Sequence, residues 1–297
     1  MRCRLILNGK KADRPDVRRA VTEIRAAGHE VEVRVTWEQG DAVRLVAEAA
    51  RDGVARVIAG GGDGSVNEVA NGLMSLEPGR RPDLALLPLG TANDFATACR
   101  VPADAAAALR LAVEGTPVPV DLGRCNDSFF ANIASGGFGA AVTAETPVEL
   151  KNFLGGGAYT IMGLVKAVNF RPYACAVTTP DGTMEGAVVI GAICNGRQAG
   201  GGQPLAPAAL IDDGLLDVVF LRPFPPSEAA WVAAEVLGQQ AGGGHVVRMR
   251  VPWIEVRAAD AIPVNLDGEP VSGRHFRFEA VPGCIRIVLP EGCPCVG

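Results

Sequence analysis

Residues 60–69 constrain the fold of this chain more than any other segment, because they join a strand to a helix through a glycine-rich turn. The run 54–59 before them is apolar and β-branched, which predicts a short buried strand. Behind them, apolar residues follow the spacing of one helix face: Val66, Val69, Ala70, Leu73 and Met74. Ser65 and Glu68 stand three apart, which predicts a capping box at the helix start. A turn of this kind points backbone N–H groups at an anion, so we expect a phosphate-binding loop.

An acidic residue inside this loop indicates which phosphate chemistry it serves. Asp63 lies between two glycines, and no lysine follows it as one would in a Walker loop. A carboxylate repels a phosphate unless a cation bridges the two or the carboxylate takes up a proton. The loop therefore favours Mg²⁺-dependent phosphoryl chemistry. A solvated aspartate on an ordinary glycine-rich turn is the alternative that the loop alone leaves open.

A second strand–loop–helix unit follows at residues 84–96. The apolar run 84–88 predicts a strand, and a helix is expected to begin near Asn93 or Asp94. Two consecutive units imply parallel strands whose loops share one sheet edge, where ligands of open α/β sheets bind. Thr91, Asn93 and Asp94 are therefore expected to meet Asp63 across one crevice. A helix N-cap is the alternative role for Asn93 or Asp94.

Together, these two motifs carry a family resemblance. Residues 61–68 (Gly-Gly-Asp-Gly-Ser-Val-Asn-Glu) and 88–96 (Pro-Leu-Gly-Thr-Ala-Asn-Asp-Phe-Ala) resemble the diacylglycerol kinase catalytic family, which includes bacterial lipid kinases and sphingosine kinases. Residues 34–38, 134–139, 195–203 and 265–270 resemble the YegS-type bacterial lipid kinases in particular. The match extends from Leu5 almost to the C-terminus. Ser65 stands where the family usually has threonine, and it keeps the hydroxyl.

Composition narrows the class of protein further. Hydrophobic residues make up 48% of the 297 positions, so the chain is not disordered. A net charge of −5 argues against broad nucleic-acid binding. No signal peptide or membrane span is evident, so we expect a cytoplasmic protein that works peripherally at the inner membrane face. None of the eight cysteines forms a Cys-x-x-Cys pair, so no zinc is expected; Cys293 and Cys295 are assigned to a mobile tail.

The pattern of elements predicts two domains. Strand and helix signals alternate over residues 1–123, with one helix that ends at Gly28 and others at 41–52 and 104–114, which predicts a Rossmann-like α/β domain with a parallel sheet. Short β-like runs follow residue 123, at 129–134, 175–179, 187–194, 216–220, 246–251, 253–257, 274–279 and 285–289. They predict a β-sandwich over residues 124–279, interrupted by helices at about 157–169 and 227–240. The resemblance adds that residues 280–297 return to the first domain. It also places the active site in the cleft between the two domains.

The resemblance implies roles for individual residues. It places the proton acceptor at Glu269, with Asp267 close by and Asp63 organising Mg²⁺. Leu210, Asp213 and Leu215 match a metal site of main-chain groups and one carboxylate, suited to Mg²⁺ or Ca²⁺; an ordinary Asp-Gly turn is the alternative. The nucleotide site is assigned to Thr36, Gly61, Gly62, Asp63, Gly64, Ser65, Val66, Asn67, Glu68, Thr91, Asn93 and Asp94.

The implied activity is transfer of the γ-phosphate of ATP to a lipid hydroxyl, on phosphatidylglycerol or diacylglycerol. Transient contact with a membrane surface is assigned to residues 159–165 and to the helix that carries Trp231, and the oligomeric state is left open. Two other interpretations remain at this point. NAD kinases and phosphofructokinases share the Gly-Gly-Asp-Gly loop, which would give a soluble acceptor. A non-catalytic lipid- or nucleotide-binding module is the other.

Overall fold

The first domain is built on a parallel sheet. The computed structural model describes residues 1–137, 171–236 and 244–297. Four strands lie in the order β2-β1-β3-β4, and Leu5 of β1 faces Val33 on one side and Ile58 on the other. Their bounds are Arg2–Asn8 (β1), Glu30–Thr36 (β2), Arg56–Gly61 (β3) and Asp83–Pro88 (β4). The buried runs of β1, β3 and β4 are the mark of strands covered on both faces.

Helices cover both faces of this sheet. α1 and α5 pack on one face through Val17, Ile24 and Leu109, whereas α2 and α3 pack on the other through Val46 and Leu73. The helix bounds are Pro15–Ala26 (α1), Asp41–Arg51 (α2), Asp63–Met74 (α3), Asp94–Ala98 (α4) and Ala105–Glu114 (α5). Short 3₁₀ turns occupy Gly9–Lys11 and Pro78–Arg80.

The second domain is a β-sandwich around an aromatic core. Phe130, Phe276 and Phe278 are buried there, and Phe276 stacks on Phe278 with ring centroids 5.9 Å apart. Its strands are β5 Pro117–Cys125, β6 Ser128–Phe130, β7 Ile133–Gly137, β8 Tyr173–Thr179, β9 Gly182–Val188, β10 Ile190–Cys194, β11 Gln198–Ala199, β12 Gln203–Pro204, β13 Leu216–Leu221, β14 Val246–Val251, β15 Trp253–Leu266 and β16 Glu269–Val288. The predicted fold class, a parallel α/β domain followed by a β-sandwich, is confirmed.

Three details of the strand prediction are wrong. The predicted strand 129–134 is broken into β6 and β7, because Ala131 and Asn132 turn their N–H groups to a side chain instead of a ladder. The predicted strands 274–279 and 285–289 are one strand, β16, which continues through an irregularity between Val281 and Ile285. Residues 187–194 divide between β9 and β10.

Of the two helices predicted in the second domain, one is described in part and the other lies outside the described residues. Helix α6 forms at Ala229–Val236 after a 3₁₀ turn, Pro226–Glu228, and the rest of the predicted stretch 227–240 lies outside the described residues. The predicted helix 157–169 and the membrane-contact stretch 159–165 also lie outside them. Within the described ranges, no helix combines the length and the hydropathy that a membrane span requires.

Strands β5 and β16 run through both domains. They pair antiparallel from Cys125↔Phe278 to Pro117↔Val288, and β16 also pairs in parallel with β4 at Ile287↔Leu84. Ile285, Ile287 and Leu289 are buried in the core of the first domain. Gly123 and Ala280, where the sequence predicts the domain division, are partners in this ladder. The division itself stays a prediction.

Candidate active site in the interdomain cleft

The glycine-rich loop after β3 touches the loop after β4. A Cβ on Gly90 would lie 2.6 Å from Gly62 Cα, and one on Gly61 would lie 2.1 Å from Ser65 Oγ. Leu89 N–H also donates to Gly61 O at 2.8 Å. Only glycine fits such close backbone approaches. The two loops therefore form one continuous edge at the carboxyl ends of β3 and β4.

The predicted capping box at the start of α3 is absent. The helix begins at Asp63, with Gly62 as an N-cap that makes no side-chain hydrogen bond. Ser65 lies inside the first turn, where its hydroxyl accepts a hydrogen bond from Asn8 Nδ2 at 3.3 Å. The prediction was wrong because the helix begins two residues before Ser65.

The carboxylate of Asp63 reaches across to the second loop. Its oxygens accept hydrogen bonds from Asp94 N–H at 3.0 Å and Phe95 N–H at 2.9 Å, so Asp63 caps the N-terminus of α4. Asn93 has φ 51° and binds the backbone of Gly90 instead of capping the helix itself. Burial raises the pKa of Asp63, and the nearby charge of Asp94 raises it further, whereas the two N–H hydrogen bonds lower it.

Asp94 connects the first domain to a loop of the second. Its buried carboxylate accepts hydrogen bonds from Gly201 N–H at 3.0 Å and Gly202 N–H at 2.6 Å. Gly200, Gly201 and Gly202 all have positive φ, a conformation that favours glycine. The β11–β12 loop is thus held against α4, and both oxygens of Asp94 are already bonded to protein.

The opposite wall of the cleft is the turn between β15 and β16. Asp267 has φ 49°, and its carboxylate accepts hydrogen bonds from the N–H groups of Ala131 at 2.6 Å, Asn132 at 3.0 Å and Ile133 at 2.7 Å. Burial raises the pKa of Asp267 to about 6, against these three bonds. Glu269 is exposed, and its carboxylate has no hydrogen bond or ion pair within the described residues.

Helix α3 brings the glycine-rich loop to this turn. A Cβ on Gly64 would lie 3.9 Å from Asp267 O, and Asn67 Nδ2 lies 3.5 Å from Leu266 O. Burial raises the pKa of Glu68, and the charge of Glu269 raises it further. The structure therefore brings the start of α3, with Asp63, Gly64 and Asn67, against the turn that carries Asp267 and Glu269.

Two asparagines that the sequence analysis did not single out tie the walls together. Asn71 Nδ2 donates to Phe129 O at 2.9 Å, and Asn71 Oδ1 accepts from Phe129 N–H at 3.0 Å. Asn195 is 1% exposed and donates to Asp121 O at 3.1 Å and Ala131 O at 2.8 Å. The signal for Asn71 was its spacing of four from Asn67 on one face of α3.

Thr36 and Thr91 lie at the outer rim of the same edge. Thr36 ends β2 opposite Asn8 of β1, and a Cβ on Gly9 would lie 2.4 Å from Thr36 O. Thr91 is exposed and lies in the loop between Gly90 and the start of α4. Trp37 follows Thr36 with 93% of its surface exposed, so it can report ligand binding at this rim.

The predicted metal site lies elsewhere, beside a buried aspartate. Asp213 Oδ1 accepts a hydrogen bond from Leu215 N–H at 3.0 Å, and Oδ2 forms an ion pair with Arg250. Asp121, 2% exposed, accepts hydrogen bonds from Gly214 and Gly283, both at 2.7 Å. The positive charge that faces Asp213 is therefore Arg250. A cation fits these oxygen donors only when Arg250 leaves Asp213 and pairs with Asp217 alone. The Arg250 Nε atom lies 3.5 Å from the carboxylate of Asp217.

A small apolar cavity of about 40 Å³ lies inside the β-sandwich. Gly136 of β7 and Val264 of β15 line it and are partners in the ladder. Two residues further along this ladder, Ala134 pairs with Leu266 next to the β15–β16 turn. At the usual rise per residue, that pair lies about 7 Å from the pair that lines the cavity. The other lining residues include Val177, Val188, Ile193, Phe220, Val256, Phe276 and Phe278.

Comparison with known families covers nearly the whole chain. Residues 2–125 match the diacylglycerol kinase catalytic domain, and residues 132–289 match the YegS C-terminal NAD kinase beta sandwich-like domain. The chain belongs to the YegS-like lipid kinases. Its membership accounts for the two-domain order, in which a nucleotide-type α/β fold precedes a β-sandwich.

Individual relatives agree with this assignment. "Probable lipid kinase YegS-like" of Shewanella frigidimarina is 49% identical over 99% of this chain and 95% of that protein. The protein of the same name from Chromohalobacter salexigens is 50% identical over 97% of this chain and 93% of its own. A solved structure from Bacillus anthracis str. Sterne, named as a candidate diacylglycerol kinase, superposes with a TM-score of 0.83, at 26% identity over 98% of this chain and 96% of that one.

Family membership fixes the coarse chemistry. This YegS-like protein is a lipid kinase, a phosphotransferase with an alcohol group as acceptor. A kinase of this family takes its phosphoryl group from ATP and works with a divalent cation.

Proposed function

We propose that the chain transfers the γ-phosphate of ATP to the hydroxyl of a glycerolipid, phosphatidylglycerol or diacylglycerol. The observation that carries this proposal is the contact between α3 and the β15–β16 turn, where Asn67 meets Leu266 O and Gly64 lies against Asp267. This contact supports the proposal because it joins the helix of the glycine-rich loop to the turn that carries an exposed carboxylate, Glu269. Phosphoryl transfer to an alcohol needs both parts in that arrangement.

The donor side of the cleft is assigned to the loop at residues 61–65. Its backbone N–H groups and the N-terminus of α3 attract the phosphates of ATP, and Ser65 offers a hydroxyl in the first turn. Thr36 and Thr91 at the rim, with Asn93 closing its loop on Gly90, bound the nucleotide site. Val66, Asn67 and Glu68 complete the first turns of the helix behind it.

Asp63 is proposed to hold Mg²⁺ at the phosphates, where that ion neutralises charge that develops during transfer. Its carboxylate fits this task, because each oxygen accepts one backbone N–H and about two lone-pair sites remain on the group. Asp94 likewise accepts one N–H on each oxygen, from Gly201 and Gly202, but it is only 5% exposed, whereas Asp63 is half-buried and lines the crevice with Gly61 and Gly62. We therefore assign Asp94 to positioning the β11–β12 loop against α4 instead of to direct contact with the ion.

Glu269 is proposed to accept the proton of the lipid hydroxyl. It is exposed in the cleft and free of partners within the described part of the chain, so its carboxylate is available to a substrate. Asp267 instead gathers three backbone N–H groups, which fixes the turn that carries Glu269. Asp267 is thus assigned as a positioning residue and Glu269 as the catalytic one.

The acyl chain of the substrate is proposed to enter the apolar cavity of the β-sandwich. The apolar walls of this cavity offer no polar partner to a soluble acceptor, whereas they suit an alkyl chain. Its volume of about 40 Å³ means that the sandwich must widen to admit the chain. Because β7 and β15 lead from this cavity to the cleft, a chain seated there places its head group near Glu269. Membrane contact at the helix with Trp231, which is 48% exposed, would bring such a substrate to the protein.

The test measures transfer of label from radiolabelled ATP and Mg²⁺ to phosphatidylglycerol, diacylglycerol and NAD, with a cavity-filling variant alongside. In the Gly136→Leu variant, long-chain lipid phosphorylation should fall at least tenfold, while binding of ATP, read by Trp37 fluorescence, is unchanged. Gly186→Leu is the matched control, because Gly186 is exposed and nothing lies within 4 Å of its added Cβ. Labelled NAD with no labelled lipid would instead establish a soluble acceptor. Consumption of no ATP with any acceptor would favour a binding module.

We also propose Leu210, Asp213 and Leu215 as a site for Mg²⁺ or Ca²⁺ that competes with Arg250. Removing the guanidinium frees one oxygen of Asp213 for a hard cation. Calorimetric titration of Arg250→Gln with Ca²⁺ and with Mg²⁺ should show binding at least tenfold tighter than in the wild type. Arg257→Gln, which removes an exposed arginine elsewhere, serves as control. Equal affinity in all three proteins would leave an ordinary Asp-Gly turn as the explanation.

A further inference from the structure

Three cysteine side chains meet at the C-terminal end of α4. Cys99 directly follows this helix, and Cys293 and Cys295 flank Pro294 near the end of the chain. Their three sulfur atoms all lie within 4.8 Å of one another. Cys99 is 0% exposed and Cys295 1%. Among the described side chains, no other group of three or more histidine, cysteine, aspartate or glutamate residues converges in this way.

The tail that carries two of these cysteines is fixed in place, so the prediction of a mobile tail was wrong. Ile211 N–H donates to Cys295 O at 2.8 Å, and Gly297 N–H donates to the carboxylate of Asp212 at 3.1 and 3.2 Å. Cys295 lies in the core of the first domain, with Cys293 and Val296 packed against it. The sequence shows only a Cys-Pro-Cys end, whereas the packing against α4 and Ile211 depends on residues far away in the chain.

The residues around the cluster suit a charged occupant. The Arg197 guanidinium binds the carbonyl of Pro294, between the two tail cysteines, and that of Ala209 at 2.8 Å. It lies close enough for its charge to act on both Cys293 and Cys295. Three thiolates with one divalent cation carry a net charge of −1, and a neighbouring guanidinium offsets that charge. Groups in such outer positions orient the ligands of metal sites.

The arrangement of sulfur atoms decides between two uses of clustered cysteines. A disulfide joins two thiols and leaves the third outside the bond, whereas one soft cation engages all three. Thiolate ligands select Zn²⁺ and Cu⁺ over hard cations such as Mg²⁺. Sites with three protein ligands keep one further position for water or another small ligand. We infer that Cys99, Cys293 and Cys295 bind one thiophilic cation of the Zn²⁺/Cu⁺ class.

This site is distinct from the proposed chemistry and independent of it. Helix α4 is held at its N-terminus by the carboxylate of Asp63. A cation on Cys99 fastens the other end of the same helix to the C-terminal tail. Binding of the ion therefore stabilises the short helix that borders the phosphate loop, and unfolding is its direct readout.

The experiment counts metal on the full chain, purified and stripped under anaerobic, reducing conditions. One arm receives Zn²⁺ and the other Cu⁺, and native mass spectrometry gives the number of bound ions. We expect one ion per chain and a higher unfolding midpoint in the wild type and in Cys284→Ser, a control thiol outside the cluster. In Cys293→Ser, affinity should fall by at least about tenfold and the midpoint should no longer respond to metal.

Substitution with Co²⁺ keeps the test valid if Cys293→Ser does not fold. Thiolate-to-cobalt charge-transfer bands in the wild type should have the intensity of three sulfur ligands. Three results would overturn the inference: no ion in either arm, equal affinity in the wild type and folded Cys293→Ser, or a protein that, when purified without reductant, is two hydrogens lighter and binds no metal. The last result would assign a disulfide to the cluster instead.

Discussion

The two turns at the candidate site differ in how far apart in the sequence the residues that hold each turn lie. The turn after β3 is closed by residues about 30 positions away, as when Asp63 binds the N–H groups of Asp94 and Phe95. The turn between β15 and β16 is closed by residues about 135 positions away, when Asp267 binds residues 131–133. The first turn therefore appears in the sequence as a compact motif, and the second does not.

The two turns also use their acidic residues differently. In the β15–β16 turn, Asp267 is tied to three backbone N–H groups, which leaves the neighbouring Glu269 free and exposed. In the glycine-rich loop, Asp63 caps α4 and also lines a crevice with Gly61 and Gly62, so the residue proposed to bind Mg²⁺ is itself a structural one. Substitutions in the loop should thus change activity and stability together, whereas those in the other turn should separate them.

The largest expected effect comes from Asp63. Asp63→Ala removes the proposed Mg²⁺ ligand and should abolish measurable lipid phosphorylation. It also removes the cap of α4, at a cost of about 0.5–2 kcal/mol in the free energy of unfolding. Steady-state kinetics and urea unfolding measure the two effects, with the exposed Asp181→Ala as control. Near-normal turnover in Asp63→Ala would break the proposed donor site.

Glu269 should affect turnover alone. Glu269→Gln keeps the shape of the side chain but removes the proton acceptor, so kcat should fall by about 10²–10⁴-fold. The unfolding midpoint should not change, because the carboxylate has no bond to lose within the described chain. Glu77→Gln, an exposed glutamate after α3, is the matched control. An unchanged kcat in Glu269→Gln would move the proton acceptor to another group.

A smaller effect is expected where the two loops of the first domain touch. The Cβ of Gly90→Ala would lie 2.6 Å from Gly62 Cα, so the loops must separate, at a cost of about 1–3 kcal/mol. The affinity for ATP, read by Trp37 fluorescence, should weaken accordingly. Gly79→Ala adds the same methyl group where nothing lies within 4 Å and should leave both properties unchanged. Unaltered ATP binding in Gly90→Ala would separate this contact from the nucleotide site.

The last expected effect, on stability alone, is the pH dependence due to Asp267. Its folded-state pKa, about 6, lies above its ordinary value, so the folded chain holds the proton more tightly than the unfolded one. This contribution to stability is fully present below about pH 4 and is lost as the pH rises through about 6. Between about pH 4 and about pH 6, the free energy of unfolding measured with denaturant should lose this contribution in the wild type and not in Asp267→Asn. Parallel profiles would mean that Asp267 keeps an ordinary pKa.

The sequence predicted the first domain more fully than the second. Helices α1, α2 and α5 and the strands before each loop follow from local periodicity and glycine stops, and the structure confirms them. The N-cap predicted at Ser65 was wrong by three residues, because the start of the helix depends on backbone geometry at Gly62. In the second domain, the break between β6 and β7 arises from Asp267, a partner that no local pattern reveals.

Taken alone, the sequence determined the order of elements, the glycine-rich loop, the family resemblance and the acidic residues worth testing. These are local properties, since a strand, a tight turn and a helix face depend on neighbours within about ten positions. Only the tertiary structure decided that Asp63 caps α4, that Asp94 holds Gly201 and Gly202, that Arg250 faces Asp213 and that Cys99 meets Cys293 and Cys295. Each of these contacts joins residues from about 30 to nearly 200 positions apart, and the packing of whole domains brings them together.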